Sequence, residues 1–184
     1  MTEAIAPRTE IRLAGEGGQG MILAGIILAE AAAIYDKKMT VQTQSYGPEA
    51  RGGASKSEVV IAAGQIDHPE VLSADVVVTL SQEAYDKYAA SVKPGGLLIV
   101  DDEKVSNIRI AEAIKIPISR LAFEKTGKAI TANTVALGVL VGLTGVVSRD
   151  AIEKAVAARA PHGTQEMNRK ALEAGFEAAG NARG

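Results

Sequence analysis

The apolar positions of this chain pass repeatedly from short continuous runs to strict alternation to helical spacing, and each change marks an element. Residues 10–14 (EIRLA) read as a strand stopped by glycines, and residues 19–35, rich in Leu, Ile and Ala, as a helix. Residues 39–45 (MTVQTQS) alternate apolar and polar as a half-buried strand does, and residues 55–62 (SKSEVVIA) form another. About nine residues separate these two strands, too few for a helical crossover, so they are predicted to pair antiparallel in a mixed sheet.

The second half returns to α/β alternation. Residues 75–80 (DVVVTL) form a continuous apolar strand, Ser81 caps a helix to about Ala90, and KPGG (93–96) reads as the turn that ends the unit. Residues 97–100 (LLIV) give the next buried strand, closing at Asp101 and Asp102; a helix near Ile108–Ile114 leads to a short strand at 115–118 (KIPI). Beyond Leu121 the chain reads as helix. Ile130–Val147 is uncharged over 18 residues and has the length of a membrane span, yet it carries Thr131, Asn133, Thr134 and Thr144 with Gly138, Gly142 and Gly145. Lys128 and Arg149 flank it without asymmetry, so a buried helix ending near the clustered glycines is predicted. Ser148 is a good N-cap, with Asp150 in the first turn, for a helix to about Ala158; Pro161 and Gly163 break it. Thr164 then caps a last helix to about Ala179, and NARG frays. The expected fold is a three-layer α/β/α domain with a mixed, mostly parallel sheet and a helical C-terminal region. It is expected to be a single domain over residues 1–184, with a flexible lead at 1–9 and a frayed tail at 181–184.

Composition narrows the chemistry. The 184 residues fit one domain, and with 47% apolar but only 3% aromatic residues the core must be built from Ala, Val, Ile and Leu. Twenty basic residues nearly balance 22 acidic ones with no basic block longer than a pair, which gives no support to a nucleic-acid or membrane surface. The chain has no cysteine, which excludes disulfides and thiolate-held zinc or iron–sulfur clusters within it. His68 and His162 are far apart and outside any metal spacing, and read as surface or turn histidines. Redox chemistry therefore belongs to a bound cofactor or a partner. The polar lead MTEAIAPRTE lacks the features of a signal peptide, and a cytoplasmic location is expected.

Two motifs carry candidate chemistry. Residues 15–20 (GEGGQG) satisfy G-x-G-x-x-G through Gly15, Gly17 and Gly20, after a strand and at the start of a helix, with Gly18 and Gln19 inside the turn. Such a turn either presents backbone amides and a helix N-terminus to an anion or lets helix and sheet pack closely. A dinucleotide site also needs an acid at the end of the second strand, which here reads Gln42, Thr43, Gln44 and Ser45; Asp36 has the right distance from Gly15 but precedes that strand. The second motif is SYGPEARGG (45–53): Ser45 and Tyr46 lead into Gly47-Pro48, and Glu49 and Arg51 lie between that turn and Gly52-Gly53. A guanidinium held between turns suits bidentate capture of a carboxylate or phosphate, or else forms a surface pair with Glu49. Asp101, Asp102 and Glu103 at a strand end suit a Mg²⁺ or ribose role or a solvated helix-capping turn, and Asn133 either bonds a loop such as the glycine turn or faces a ligand. No Ser, His or Asp lies in a nucleophile setting.

In this order GEGGQG, QSYGPEARGGAS, LSQEAYDKY and KPGGLLIVD, followed by TANTVALGVLVG (131–142) and QEMNRKALEAGFEAA (165–179), resemble the gamma subunit of 2-oxoacid:ferredoxin oxidoreductases from about residue 10 to the C-terminus. The wording TQSYGPEARGGA (43–54) is most similar to the 2-oxoglutarate type, with pyruvate and branched-chain relatives alike. The resemblance implies a complex that decarboxylates a 2-oxoacid on thiamine diphosphate, passes electrons through iron–sulfur clusters to ferredoxin, and transfers the acyl group to coenzyme A. It implies that thiamine diphosphate, magnesium and the clusters reside on alpha- and beta-type partner subunits, or on these together with a delta ferredoxin-type one. No catalytic residue and no turnover are then expected of this chain alone, and Gly15, Gly17, Gly18, Gln19, Gly20, Ser45, Tyr46, Gly47, Glu49, Arg51, Gly52 and Gly53 are the candidate contacts to coenzyme A. The rival expectations are a free-standing nucleotide-binding oxidoreductase and a scaffold subunit that touches no substrate.

Overall fold

A computed structural model describes residues 8–46 and 53–183. Its strands are β1 (Arg8–Glu16), β2 (Met39–Ser45), β3 (Ala54–Ala62), β4 (Ala74–Thr79), β5 (Val92–Asp101) and β6 (Ile114–Ile116). Its helices are α1 (Met21–Glu30), α2 (Gln82–Tyr88), α3 (Ile118–Thr126), α4 (Ala132–Thr144), α5 (Arg149–Arg159) and α6 (Gln165–Arg183). The sheet runs β2-β3-β1-β4-β5-β6. β3 pairs antiparallel with both β2 and β1, whereas β1/β4, β4/β5 and β5/β6 are parallel, so the expected antiparallel pair and mixed sheet are present.

Strand alternation sorts the side chains into two unequal layers. Ile11, Leu13, Val59, Ile61, Val76, Val78 and Ile99 join α1, α3, α4, α5 and α6 in one large cluster. Val60, Val77, Leu98 and Val100 face the other way, onto Tyr85 and Ala89 at α2 and Val71 and Val105 of the loops. The three expected layers are there, but one of them is a single short helix with its flanking loops. Among the described residues no helix is long and apolar enough to cross a membrane.

The buried segment read from residues 130–147 is α4, which ends at Gly145 (φ 63°). Gly138 and Gly142 do different work inside the helix: a Cβ on Gly138 would lie 2.9 Å from the Cα of Gly175 on α6, and one on Gly142 2.6 Å from the Cβ of Ala179. Small residues on both helices let their backbones touch.

Several expectations need correction. α1 starts at Met21 rather than Gln19, and its last turn widens over Ala31–Tyr35, where the Asp36 N–H reaches back to the Ala31 carbonyl (3.1 Å). KPGG is not a turn between elements but part of β5; its pairing with β4 shifts register there, Gly95 has φ 77°, and a Cβ on Gly96 would lie 2.8 Å from the Asp75 carbonyl. No helix forms over 108–114, because the Tyr85 hydroxyl accepts the N–H groups of Arg109 (2.8 Å) and Ile110 (2.9 Å), holding that segment open beneath α2. β6 stops at Ile116 because Pro117 follows, and α3 begins at Ile118, before Leu121. Arg8 and Thr9 belong to β1 rather than to a flexible lead, and the tail is helical to Arg183, whose guanidinium donates to the Leu143 carbonyl (2.7 Å).

Candidate functional site

β1 leads into α1 on one face of the sheet, while its parallel neighbour β4 leads into α2 on the other. Diverging connections from adjacent strands leave a crevice at their C-terminal ends, where open α/β sheets bind ligands. Here it is a cleft of about 360 Å³ lined by Glu16, Gln19, Leu80, Ser81, Gln82, Glu83 and Lys104.

Side-chain amides and a carboxylate stitch its rim together. Gln19 Oε1 accepts the Glu16 N–H (2.7 Å) and Gln19 Nε2 donates to the Leu80 carbonyl (2.8 Å), tying the glycine turn to the end of β4. Gln82 Oε1 accepts the N–H groups of Ser106 (3.1 Å) and Asn107 (3.0 Å), tying α2 to the loop after β5. Glu83 Oε1 accepts the Ala54 N–H (3.1 Å), tying α2 to the start of β3. Ser81 caps α2 through the Ala84 N–H (3.2 Å), as expected.

The glycines of the turn divide by role. Gly15 leaves room for Gln19, whose Oε1 would be 2.6 Å from an added Cβ. Gly20 has φ 76° and lies against Asn133, whose Nδ2 donates to its carbonyl (3.3 Å). Asn133 Oδ1 also accepts the Thr134 N–H (2.8 Å), so this buried side chain holds the turn rather than facing a ligand. Among the described residues no atom lies within 4 Å of a Cβ added at Gly17 or Gly18, and no side chain caps α1.

The second motif meets the first at the sheet's edge. Ser45 pairs with Lys56 on β3, while Ala54 pairs with Glu16 and Ser55 with Gly15 across β3 and β1; Ser55 Oγ also donates to the Gly15 carbonyl (3.3 Å). Tyr46 is 69% exposed, and Gly53 directly precedes the Ala54 amide that Glu83 holds. Gly47, Glu49, Arg51 and Gly52 lie outside the described residues.

Other candidates resolve into structural work. Asp101 is fully buried; its carboxylate accepts the Ser119 N–H (3.1 Å), the Ser119 hydroxyl (2.5 Å) and the Glu103 N–H (3.2 Å), joining β5 to α3. Burial pushes its pKa up despite these bonds, with Asp102 adding to the rise. Asp36, the sequence's nearest approach to a ribose acid, accepts both the N–H and the hydroxyl of Ser148 at 2.6 Å and so anchors α5. Burial works against its ionised form, but the Ser148 bonds and Lys38 outweigh that and hold its pKa low. A nucleotide-dependent enzyme acting alone thus loses its acidic partner. His68 and His162 are exposed, and among the described residues no group of three or more His, Cys, Asp or Glu is placed to hold a metal ion.

The sequence reading missed a buried ionic cluster beside this edge. Glu58 Oε1 accepts from Arg12 Nε (2.7 Å) and Lys56 Nζ (2.9 Å), Arg12 NH2 donates to the Val71 carbonyl (3.0 Å), and both cations lie 5.8 Å from the centre of the Tyr88 ring. Its signal was present: Arg12 sits between Ile11 and Leu13, and Glu58 directly precedes the apolar run Val59–Ile61.

Fold and crevice define a doubly wound α/β domain with a glycine turn at the switch point and the start of β3 paired beside that turn. The chain belongs to the pyruvate ferredoxin/flavodoxin oxidoreductase family, whose model matches residues 10–178. It is 53% identical over 176 residues to the 2-oxoglutarate synthase subunit KorC of Methanocaldococcus jannaschii, covering 94% of each chain. The solved gamma subunit of a keto/oxoacid ferredoxin oxidoreductase from Geobacter sulfurreducens is 51% identical, with a TM-score of 0.87 over 96% of this chain and 99% of that one. The fold recurs in the 2-oxoglutarate:ferredoxin oxidoreductase of Magnetococcus marinus, solved with 2-oxoglutarate, coenzyme A and succinyl-CoA bound (23% identity, TM-score 0.84), where it covers 97% of this chain and 32% of that one.

Proposed function

We propose that this chain is the gamma subunit of a 2-oxoglutarate:ferredoxin oxidoreductase and contributes to binding coenzyme A. In the complex, a 2-oxoacid is oxidatively decarboxylated to acyl-CoA and CO2 while ferredoxin is reduced. Thiamine diphosphate, magnesium and iron–sulfur clusters are assigned to alpha- and beta-type partners, or to these together with a delta-type one, in the cytoplasm. The observation that carries the reading is the convergence of the two motifs: β1/β3 register sets Gly15 beside Ser55 and Glu16 beside Ala54, at one end of the sheet. The outward Gly17-Gly18 pair offers backbone to an incoming phosphate. Among the described residues the cleft is lined by one cation, Lys104, together with Glu16 and Glu83. The charge that neutralises a phosphate is therefore assigned to Arg51, whose planar fork suits it.

The test is steady-state kinetics of the reconstituted complex, with coenzyme A and 2-oxoglutarate varied separately. A charge-assisted contact is worth about 1.5–3 kcal/mol, so Arg51→Ala should raise the KM for coenzyme A roughly tenfold or more, and Arg51→Lys should recover part of the loss. The KM for 2-oxoglutarate should hardly move. An unchanged KM for coenzyme A with weakened assembly would move Arg51 to a subunit boundary, and an unchanged KM with normal assembly would remove it from the site.

A further inference from the structure

We infer that Gln19 is a positioning residue for this reaction, a clamp across the switch point that holds the glycine turn so that Gly17 and Gly18 face coenzyme A. The inference rests on the reading of the site just given. The ladder between β1 and β4 makes a last backbone bond from the Leu80 N–H to the Ala14 carbonyl (3.0 Å), and beyond it the two chains diverge to opposite faces. Gln19 takes over at that point. It joins the Leu80 carbonyl to the Glu16 amide through one side chain, while its own N–H closes the turn on the Glu16 carbonyl (3.1 Å). The task needs an acceptor and a donor on one short planar group, which a primary amide has and a carboxylate or aliphatic side chain lacks.

The surrounding glycines show which way the clamp works. Gly15 is small because Gln19 lies against it, and Gly20 because Asn133 does. Gly17 differs: its backbone is outside the left-handed region, and no atom of the described residues stands within 4 Å of an added Cβ. Nothing among the described residues therefore requires a glycine there, and the missing side chain matters to what approaches from outside. With both amide functions spent inside the chain, Gln19 has little left to offer a ligand and acts through the turn it holds.

In the reconstituted complex, Gln19→Ala should raise the KM for coenzyme A roughly fivefold while kcat and the KM for 2-oxoglutarate stay within about twofold. Gln19→Glu keeps the acceptor for the Glu16 amide and loses the donor to Leu80, so it should fall between wild type and Gln19→Ala, and it serves where the alanine variant assembles poorly. Gly15→Ala should displace Gln19 and raise the same constant, and it should add much less in a Gln19→Ala background, since both changes remove one clamp. Ser148→Ala, at the α5 cap, is the control for lost stability without an altered turn. A lower melting temperature with an unchanged KM for coenzyme A in both Gln19 variants would overturn the inference; Arg51→Ala still raising that KM would leave the site standing without its clamp. If neither Arg51→Ala nor Gln19→Ala moves the KM for coenzyme A, the inference and the site reading fall together.

Discussion

Replacing Gly138 by alanine should destabilise the chain even though alanine is the better helix former. An added Cβ would lie 2.9 Å from the Cα of Gly175 and 3.1 Å from the backbone nitrogen of Phe176, and nearer still to the Leu172 carbonyl. These are backbone atoms of α6, so no rotamer change relieves the contact and the helices must separate. Overpacking of this kind costs about 1–3 kcal/mol, against roughly 0.4–1 kcal/mol that glycine-to-alanine returns by restricting the unfolded chain. The net loss is about 1–2 kcal/mol, or roughly 2–8 °C in melting temperature for a chain of this length. Gly180, also on α6, has none of the described residues' atoms within 4 Å of an added Cβ, so Gly180→Ala should raise the melting temperature slightly. Thermal unfolding of the two purified variants beside the parent checks both signs. If Gly138→Ala melts at or above Gly180→Ala, the close helix contact is not what glycine 138 provides.

Asp101 and Glu58 test the buried charges. Burial raises the folded-state pKa of Asp101, so the folded chain holds its proton more tightly than the unfolded one: stability rises as pH falls through that raised pKa and is lower by a constant amount above it. Denaturant midpoints of parent and Asp101→Asn measured from pH 7 towards pH 4 should change in the parent's favour as pH falls; a constant difference would show that Asp101 does not titrate in that window. Glu58→Gln leaves Arg12 and Lys56 without their shared carboxylate and should cost about 3–5 kcal/mol, whereas Arg12→Met with Glu58→Leu should recover most of the loss because the buried pair is gone and the part-exposed Lys56 can turn to solvent. Equal melting temperatures for Glu58→Gln and the double variant would refute that account.

The elements legible in the sequence were those whose signal is local. β2 alternates, β4 and the second half of β5 are continuous apolar runs, and Ser81 and Ser148 cap the helices that follow them, with N–H bonds of 3.2 and 3.1 Å. The misreadings occur where a distant residue decides. KPGG has the composition of a turn, but β4 supplies a parallel partner beside Asp75, and glycines that tolerate the approach stay in the strand. Residues 108–114 carry no helix because a phenol more than twenty positions earlier takes two of their amides. The tail stays helical because Arg183 finds the Leu143 carbonyl 40 positions back.

The candidate site follows the same division. G-x-G-x-x-G in its strand–helix context and the loop after β2 were both visible, since glycine, proline and arginine advertise themselves. The convergence of the two was not visible, because it depends on β3 pairing with β1 in one particular register, and that register is set by which faces of both strands are apolar. A slip of β3 by one residue against β1 would turn Glu58 into the thick layer, away from Arg12, and separate Gly15 from Ser55. The buried Arg12–Glu58 pair therefore acts as a register key: it is satisfied in the pairing that sets Gly15 beside Ser55, and mismatched by a slip that would part them.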